Sequence, residues 1–153
     1  MIRKKVINKT ERSDEGWVDL SERAAFEVTS EEAGSPLENA LSPDAKKWIA
    51  ATPGEQTIRI TFDEPQDISK ILLLFEETAN ARSQEFVLSW QQAGQSEWQE
   101  IVRQQFNFSP PGTTTERENF NVSLQGASAL ELLIIPERSG GGAASNPALV
   151  ARG

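Results

Sequence analysis

Short runs in which apolar and polar residues alternate recur along the chain between residues 26 and 135. The clearest is Thr57–Phe62, where Ile58, Ile60 and Phe62 fall on one face of an extended segment. The segment Ile68–Phe75, which contains the apolar run at residues 71–75, predicts a strand buried on both faces. The predicted strands are residues 24–29, 57–62, 68–75, 83–91, 97–105, 119–124 and 129–135, and residues 148–151 either add an edge strand or stay disordered.

The connections between these strands are alternately tight and long. Tight connections are predicted at residues 63–67, 93–96 and 125–128, and long ones at residues 30–56, 76–82, 106–116 and 136–147. Within the first long connection, Leu37–Leu41 predicts a short helical turn that Ser42-Pro43 ends. If successive strands run in opposite directions, all the long loops lie at one end of the domain. This is the construction of a binding module.

A chain of 153 residues, 37% of them hydrophobic, is enough for one domain with its own core. Residues 1–15 are polar and charged, so we expect a flexible N-terminal arm there. Residues 16–153 are expected to form the folded domain, with a glycine-rich and flexible segment at 136–147. Many short strands joined by turn-rich connections are typical of an antiparallel β-sandwich or a jelly roll.

Composition excludes several classes of partner. The net charge of −8 argues against nucleic acid, because phosphate binding needs concentrated lysine and arginine. The longest apolar run, residues 71–75, is far too short to span a membrane. The basic start is followed by no apolar signal core and the chain contains no cysteine, so we expect a cytoplasmic protein.

The chain contains neither histidine nor tyrosine. This removes the commonest general base and the usual zinc ligand. The adjacent carboxylates Glu31-Glu32, Asp63-Glu64 and Glu76-Glu77 form no catalytic dyad, because neighbouring residues on a strand point to opposite faces. The composition therefore favours a protein that is not an enzyme.

The order of features from Phe26 onward resembles the coagulation factor V/VIII type C, or discoidin-like, domains of the galactose-binding-like superfamily. A first strand ends in Thr29-Ser30-Glu31, and a proline and an Asn-Ala pair follow at Pro36 and Asn39-Ala40. Trp48 then precedes the alternating strand TIRITFDEPQDISKILLLF. The later segment EFVLSWQQAGQSEWQEI is similar to the family's hairpin, with Trp98 as its second tryptophan. The resemblance covers roughly three quarters of the chain.

The resemblance implies an all-β fold, an eight-stranded antiparallel jelly-roll β-sandwich. Known members of the family bind sugars, lipid headgroups or protein surfaces at the loop end. The resemblance therefore implies a binding module without catalysis. Binding of a carbohydrate or glycoconjugate is the first hypothesis, and a protein-interaction or assembly module is the alternative.

Three loops carry the candidate ligand-binding residues. Trp48, in the first long loop, either offers a flat platform to a pyranose or packs beneath the sheets, and packing is favoured because large aromatic side chains are usually buried. The second loop offers hydrogen-bonding groups, and a guanidinium there could bind a carboxylate or vicinal hydroxyls. Alternatively, that loop is simply solvated. Its candidates are Glu76, Asn80, Arg82 and Gln84.

The loop Phe106–Thr115 (FNFSPPGTTT) is stiffened by two prolines, which reduces its ordering cost on binding. Its candidates are Asn107 and Phe108, although one of its two phenylalanines is expected to lie under the loop. No cofactor is indicated. A structural Ca²⁺ remains open, with Asn39 and Asp44 as candidate ligands, but the alternating acidic pattern of calcium loops is not evident.

Overall fold

The computed structural model describes residues 20–41, 47–137 and 148–152. The expected N-terminal arm, the glycine-rich segment from residue 138 and the candidate ligand Asp44 lie outside this part. The elements in chain order are α1 Leu20–Arg23, β1 Ala24–Val28, a 3-10 helix Leu37–Leu41, β2 Trp48–Ile49, β3 Gln56–Glu76, β4 Arg82–Gln92, β5 Trp98–Phe108, β6 Thr115–Ile135 and β7 Ala148–Arg152.

Two long strands, β3 and β6, pair with each other along most of their length and bend together. Gln56 pairs with Ile134 at one end of this antiparallel ribbon, and Glu76 pairs with Thr115 at the other. The register shifts several times between Thr61 and Lys70, and such bulges bend and twist a strand. Each strand therefore contributes one half to each of two layers, and the turns predicted near residues 65 and 127 are the bends.

The first layer contains β1, the first half of β3, the second half of β6, β4 and β5, and every pairing in it is antiparallel. The second layer contains the first half of β6, the second half of β3, β7 and β2. Phe75 of the second layer lies 5.3 Å, between ring centroids, from Phe86 of the first, and Phe86 lies 6.2 Å from Phe120. The two layers thus pack face to face, which confirms the predicted antiparallel β-sandwich.

The alternating positions fill the core as the sequence predicts. Inward-facing Ile58, Leu88 and Ile134 are all buried, and so are Leu130 and Leu132. The expectation that residues 68–75 are buried on both faces is wrong. Ile71, Leu73 and Phe75 are buried, but Leu72 and Leu74, on the other face, are only half-buried, because that face lies on the outside of the sandwich.

The predicted C-terminal strand is present as β7, but it does not lie at an edge. It pairs with β3 through Leu72↔Arg152 to Glu76↔Ala148, and its other side pairs with the two-residue strand β2. The short β2 is the edge on that side of the second layer. The chain segment that carries Trp48 is therefore held by the C-terminal strand.

Two of the predicted tight connections, residues 63–67 and 125–128, are bends within β3 and β6 rather than loops between strands. These bends and the loop 93–97 lie at one end of the sandwich, the tight end, and the described parts of the long connections lie at the other. At the tight end, the amide of Ala93 donates to the carbonyl of Gly126, and the amide of Gly126 donates to Asp67, both at 2.8 Å. Gly126 has a φ of 65°, which favours glycine at this turn. At the other end, the amide of Glu77 donates to the carbonyl of Thr114 at 2.8 Å.

Candidate functional site

We call the end of the sandwich that carries residues 29–41, 47–55, 77–81, 109–114 and 136–137 the loop end. Gln56 and Glu76 both lie there, although they stand at opposite ends of β3, because the strand folds back on itself. The loop end therefore brings together loops that are distant in sequence. It consists of two buried clusters of polar and aromatic side chains beneath an exposed surface.

The first buried cluster is built around Trp48. Its side chain is completely buried, and its indole nitrogen donates to the carbonyl of Ser30 at 2.9 Å. The Ser30 hydroxyl donates to the amide oxygen of Gln56 at 2.8 Å, and the Gln56 nitrogen donates to the carbonyl of Thr52 at 2.9 Å. Trp48 therefore packs beneath the loop and exposes no ring face in this structure. Of the two interpretations of this residue, packing is the one the structure shows.

The 3-10 helix and the residues before β2 are fixed by side chains at the same end. The carboxylate of Glu31 accepts the amide of Leu37, at the start of the 3-10 helix, at 2.9 Å. The side-chain amide of Asn39 donates to the carbonyl of Lys47 at 3.0 Å, and Lys47 forms an ion pair with Glu76. The described residues contain no group of three or more acidic side chains that could hold a metal ion. A metal at Asn39 stays a prediction.

The second buried cluster is built around Arg82, whose side chain is completely buried. Its Nε donates to Oε1 of Glu77 at 2.7 Å, and its Nη1 donates to Gln84 at 2.7 Å and to the carbonyl of Pro136 at 3.0 Å. Its guanidinium carbon lies 4.7 Å from the ring centroid of Phe108, within the range of a cation–π contact. One cation thus joins β4, β5, the loop after β3 and the chain after β6.

Glu77 also holds the backbone of the loop 77–81 in position. Its second oxygen, Oε2, accepts the amides of Ala79 at 2.9 Å and Asn80 at 3.1 Å. Burial alone would raise the pKa of Glu77, but the hydrogen bonds from Arg82 and from these two amides outweigh it, and the net pKa is lowered. Glu77 is therefore an anion at neutral pH, and its charge shapes the loop.

The inner end of this cluster is a second carboxyl group, that of Glu116. Its Oε1 accepts the amide of Gln84 at 3.3 Å, while Oε2 has no hydrogen-bond partner among the described residues. Burial, and next the neighbouring carboxyl group of Glu118, raise the pKa of Glu116 to about 8. Glu116 is therefore protonated at neutral pH, and the cluster contains one anion and one cation.

This proton makes stability depend on pH in a predictable direction. Between about pH 4.5 and pH 8 the folded protein keeps a proton on Glu116 that the unfolded chain loses. We therefore expect the free energy of unfolding to fall across this window, by at most about 1.4 kcal/mol per pH unit from this group. Urea unfolding at a series of pH values measures it. In Glu116→Gln, the isosteric control, this contribution should be absent, and an unchanged pH dependence in that variant would contradict the assignment.

The structure brings together three of the seven candidate ligand-binding residues, Arg82, Gln84 and Phe108, but it buries all three. They expose no surface to a ligand in this structure, and their part in ligand contact stays a prediction. Trp48 lies in the separate cluster described above. Glu76 is half-buried and paired with Lys47, whereas Asn80 and Asn107 are exposed.

Sequence reasoning missed the role of Glu116 and underestimated that of Glu77. The alternating pattern of β6 offered the only signal, since it places Glu116 and Glu118 on the same inward face as Phe120. A charged residue at a position where the period predicts an apolar one indicates a buried polar site. Glu77 and Arg82 form a buried ion pair rather than two solvated side chains.

No family model matches the chain, and no curated protein matches it either. Solved structures are similar in fold. The module CpGH89CBM32-4 of Clostridium perfringens, in complex with GlcNAc-α-1,4-galactose, superimposes with a TM-score of 0.60 at 16% identity, covering 89% of this chain and 92% of that one. A chitosan-binding module from a chitosanase/glucanase of Paenibacillus sp. IK-5 gives a TM-score of 0.57 at 15% identity, covering 88% and 97%.

A GH29 fucosidase of Ruminococcus gnavus, solved with fucose, is similar over only part of its length. The TM-score is 0.61 at 10% identity, and the match covers 88% of this chain but 26% of the fucosidase. The present chain thus spans about a quarter of that enzyme. Together these similarities show a β-sandwich of the galactose-binding-like fold.

No helix within the described residues is long and apolar enough to cross a bilayer.

Proposed function

We propose that the protein is a non-catalytic carbohydrate-binding module that holds an uncharged or amine-bearing saccharide at its loop end. The observation that carries the proposal is the convergence of the long loops on one rigid end. Loops on a rigid scaffold commonly carry the binding function. Modules of the same fold have been solved with saccharides or are described as binding them, which supports carbohydrate as the ligand class. The cytoplasmic location and the discoidin-like family stay predictions.

The absence of catalysis is supported by how the carboxylates of the second loop are used. Glu76 is paired with Lys47, and Glu77 is held by Arg82 and two backbone amides. Glycoside hydrolysis uses two carboxyl groups that flank the scissile bond, but neither Glu76 nor Glu77 is free for that role. Both instead hold loops in position.

Electrostatics at the loop end favours some sugars over others. The two basic side chains described there, Lys47 and Arg82, already have carboxylate partners. Exposed Glu32, Glu38 and Glu55 form no ion pair within the described part of the chain. Among the described residues of the loop end, a uronate would meet carboxylates of its own sign and no free guanidinium of the kind that such ligands favour. Neutral sugars and protonated amino sugars meet no such repulsion.

Exposed hydrogen-bonding groups are available for such a ligand. Thr78 and Asn80 lie exposed on the second loop, and Ser109 and Thr113 lie exposed on the third. The two loops are joined by the hydrogen bond from the Glu77 amide to the Thr114 carbonyl. These four side chains are therefore displayed on a connected and pre-shaped surface, which lowers the ordering cost of binding.

A panel of oligosaccharides tests the proposal by calorimetry, with neutral galactose- and glucose-based oligomers, chitosan oligomers and oligogalacturonate. We expect binding to neutral or amine-bearing members and none to oligogalacturonate. Chitosan binding, where present, should weaken as salt increases. Asn80→Ala should weaken binding several-fold, whereas Gln95→Ala, a matched exposed polar residue at the tight-turn end, should leave it unchanged. No response to any saccharide, or equal loss in both variants, would overturn the proposal.

A further inference from the structure

The second buried cluster has two unsatisfied ends. Arg82 Nη2 and Glu116 Oε2 are both buried, and neither has a hydrogen-bond partner among the described residues. Both side chains are hydrogen-bonded to the same residue, Gln84, whose oxygen accepts from Arg82 and whose nitrogen donates to Glu116. Arg82 therefore has a free donor on one side of the bridging amide of Gln84. On the other side, Glu116 Oε2 bears the proton while Glu116 is neutral and becomes a free acceptor when Glu116 ionises. Unmade hydrogen bonds of buried charged groups are costly, so such an arrangement needs an explanation.

We propose that Arg82 is a proton-controlled latch. While Glu116 is protonated, the guanidinium holds Glu77 and keeps the loop 77–81 in the shape seen here. When Glu116 loses its proton, the guanidinium turns its free Nη2 toward Glu116 and loosens its hold on Glu77.

The charge balance of the cluster gives the reason. With Glu116 neutral, Arg82 has a single anionic partner, Glu77, at hydrogen-bond distance. When the proton leaves Glu116 for solvent, a second buried carboxylate competes for the same guanidinium. A buried carboxylate without a cation is strongly unfavourable, so the cation is drawn toward it. Glu77 accepts hydrogen bonds from the amides of Ala79 and Asn80. A weaker Arg82–Glu77 pair therefore also loosens the backbone of the loop 77–81.

The groups around Glu116 come from four strands. Glu118, on the same inward face of β6, opposes ionisation through its charge, and Arg82 of β4 favours it. From β5, Gln104 contacts Glu118 rather than Glu116, with nitrogen–oxygen distances of 3.4 and 3.5 Å. On β3, Phe75 pairs with Glu116 in the ladder. The pKa of Glu116, raised to about 8, sets where the latch would open.

The effect on saccharide affinity rests on the proposed function, but the latch itself does not. Carbon-detected NMR of the full chain can follow the Glu116 carboxyl carbon and the backbone carbons of Ala79 and Asn80 while pH rises from neutral to alkaline. We expect the loop signals to shift with the same midpoint as the Glu116 carboxyl. The loop signals should not shift in Glu116→Gln, which cannot ionise.

A second variant keeps the test decisive if Glu116→Gln does not fold. Glu118→Gln removes the charge that opposes ionisation of Glu116, so the carboxyl midpoint and the loop transition should move to lower pH together. Titration of Glu116 without any change in the loop, or a loop transition that persists in Glu116→Gln or stays in place in Glu118→Gln, would overturn the latch.

The saccharide readout separates this inference from the proposed function. For a saccharide that binds at neutral pH, affinity should fall by about tenfold across the transition in the unmodified protein and stay constant in Glu116→Gln. Constant affinity together with a shifting loop would contradict the link to binding and leave the latch standing. A loop that shifts in a protein that binds no saccharide would contradict only the proposed function.

Discussion

Replacing Arg82 by methionine should destabilise the protein by about 3 kcal/mol or more, a cost typical of breaking a buried ion pair by removing one partner. The substitution keeps most of the side-chain volume, so little of this cost comes from a cavity. The cost comes from the carboxylate of Glu77, which is only 7% exposed. Without Arg82, this buried charge keeps only the hydrogen bonds from two backbone amides. Urea unfolding at neutral pH measures the difference.

Two further variants identify the cause. Arg103 is paired with two carboxylates, those of Glu85 and Glu100, but its side chain is 52% exposed, and Arg103→Met should change stability little. Adding Glu77→Gln to Arg82→Met should recover part of the loss, because the stranded charge is gone. If Arg82→Met were as mild as Arg103→Met, the buried ion pair would not organise the loop end.

Replacing Phe86 by alanine should be of comparable severity, about 3–5 kcal/mol, because Phe86 is fully buried where the two layers meet. Its ring contacts Phe75 and Phe120, which belong to the opposite layer. The loss combines the transfer free energy of the ring with the cavity that a rigid sandwich cannot close. Thermal or urea unfolding provides the measurement.

The matched control is Phe106→Ala on the edge strand β5. Phe106 is half-buried and contacts Phe108 at a centroid distance of 4.9 Å. Solvent can fill part of the space that its removal leaves, so we expect less than half of the loss seen for Phe86. Equal losses in the two variants would contradict the two-layer packing around Phe86.

Much of the fold could be predicted from the sequence because the period-two pattern is local. Ile58, Leu132 and Ile134 carry that pattern, and all of them are buried. The continuity of β3 through its bend was not predictable, because Pro65 and the polar residues around it have the composition of a turn. The pairing of β7 with β3 and β2 was not predictable either, because the choice of neighbouring strand depends on contacts between residues distant in sequence.

The candidate site was predicted less completely, for a physical reason. The sequence shows that Arg82 and Glu77 are close along the chain, but a solvated pair and a buried pair have the same spacing. Whether the pair is solvated or buried depends on Phe108 and Pro136. These residues are distant in sequence, but both contact the guanidinium of Arg82. Of the candidate ligand-binding residues, Asn80 and Asn107 are exposed, whereas buried residues such as Arg82 hold the loops in place.

Mapping a bound saccharide onto the loop end by NMR is the most direct test of the central claim. With a neutral or amine-bearing oligosaccharide that binds in calorimetry, amide signals are followed as the ligand is added. The account predicts that the perturbed amides cluster in residues 77–81 and 109–114, with the tight turns at residues 63–67, 93–97 and 125–128 unaffected. Perturbation centred on those turns, or on the outer face of the first layer around Arg59 and Trp98, would contradict it.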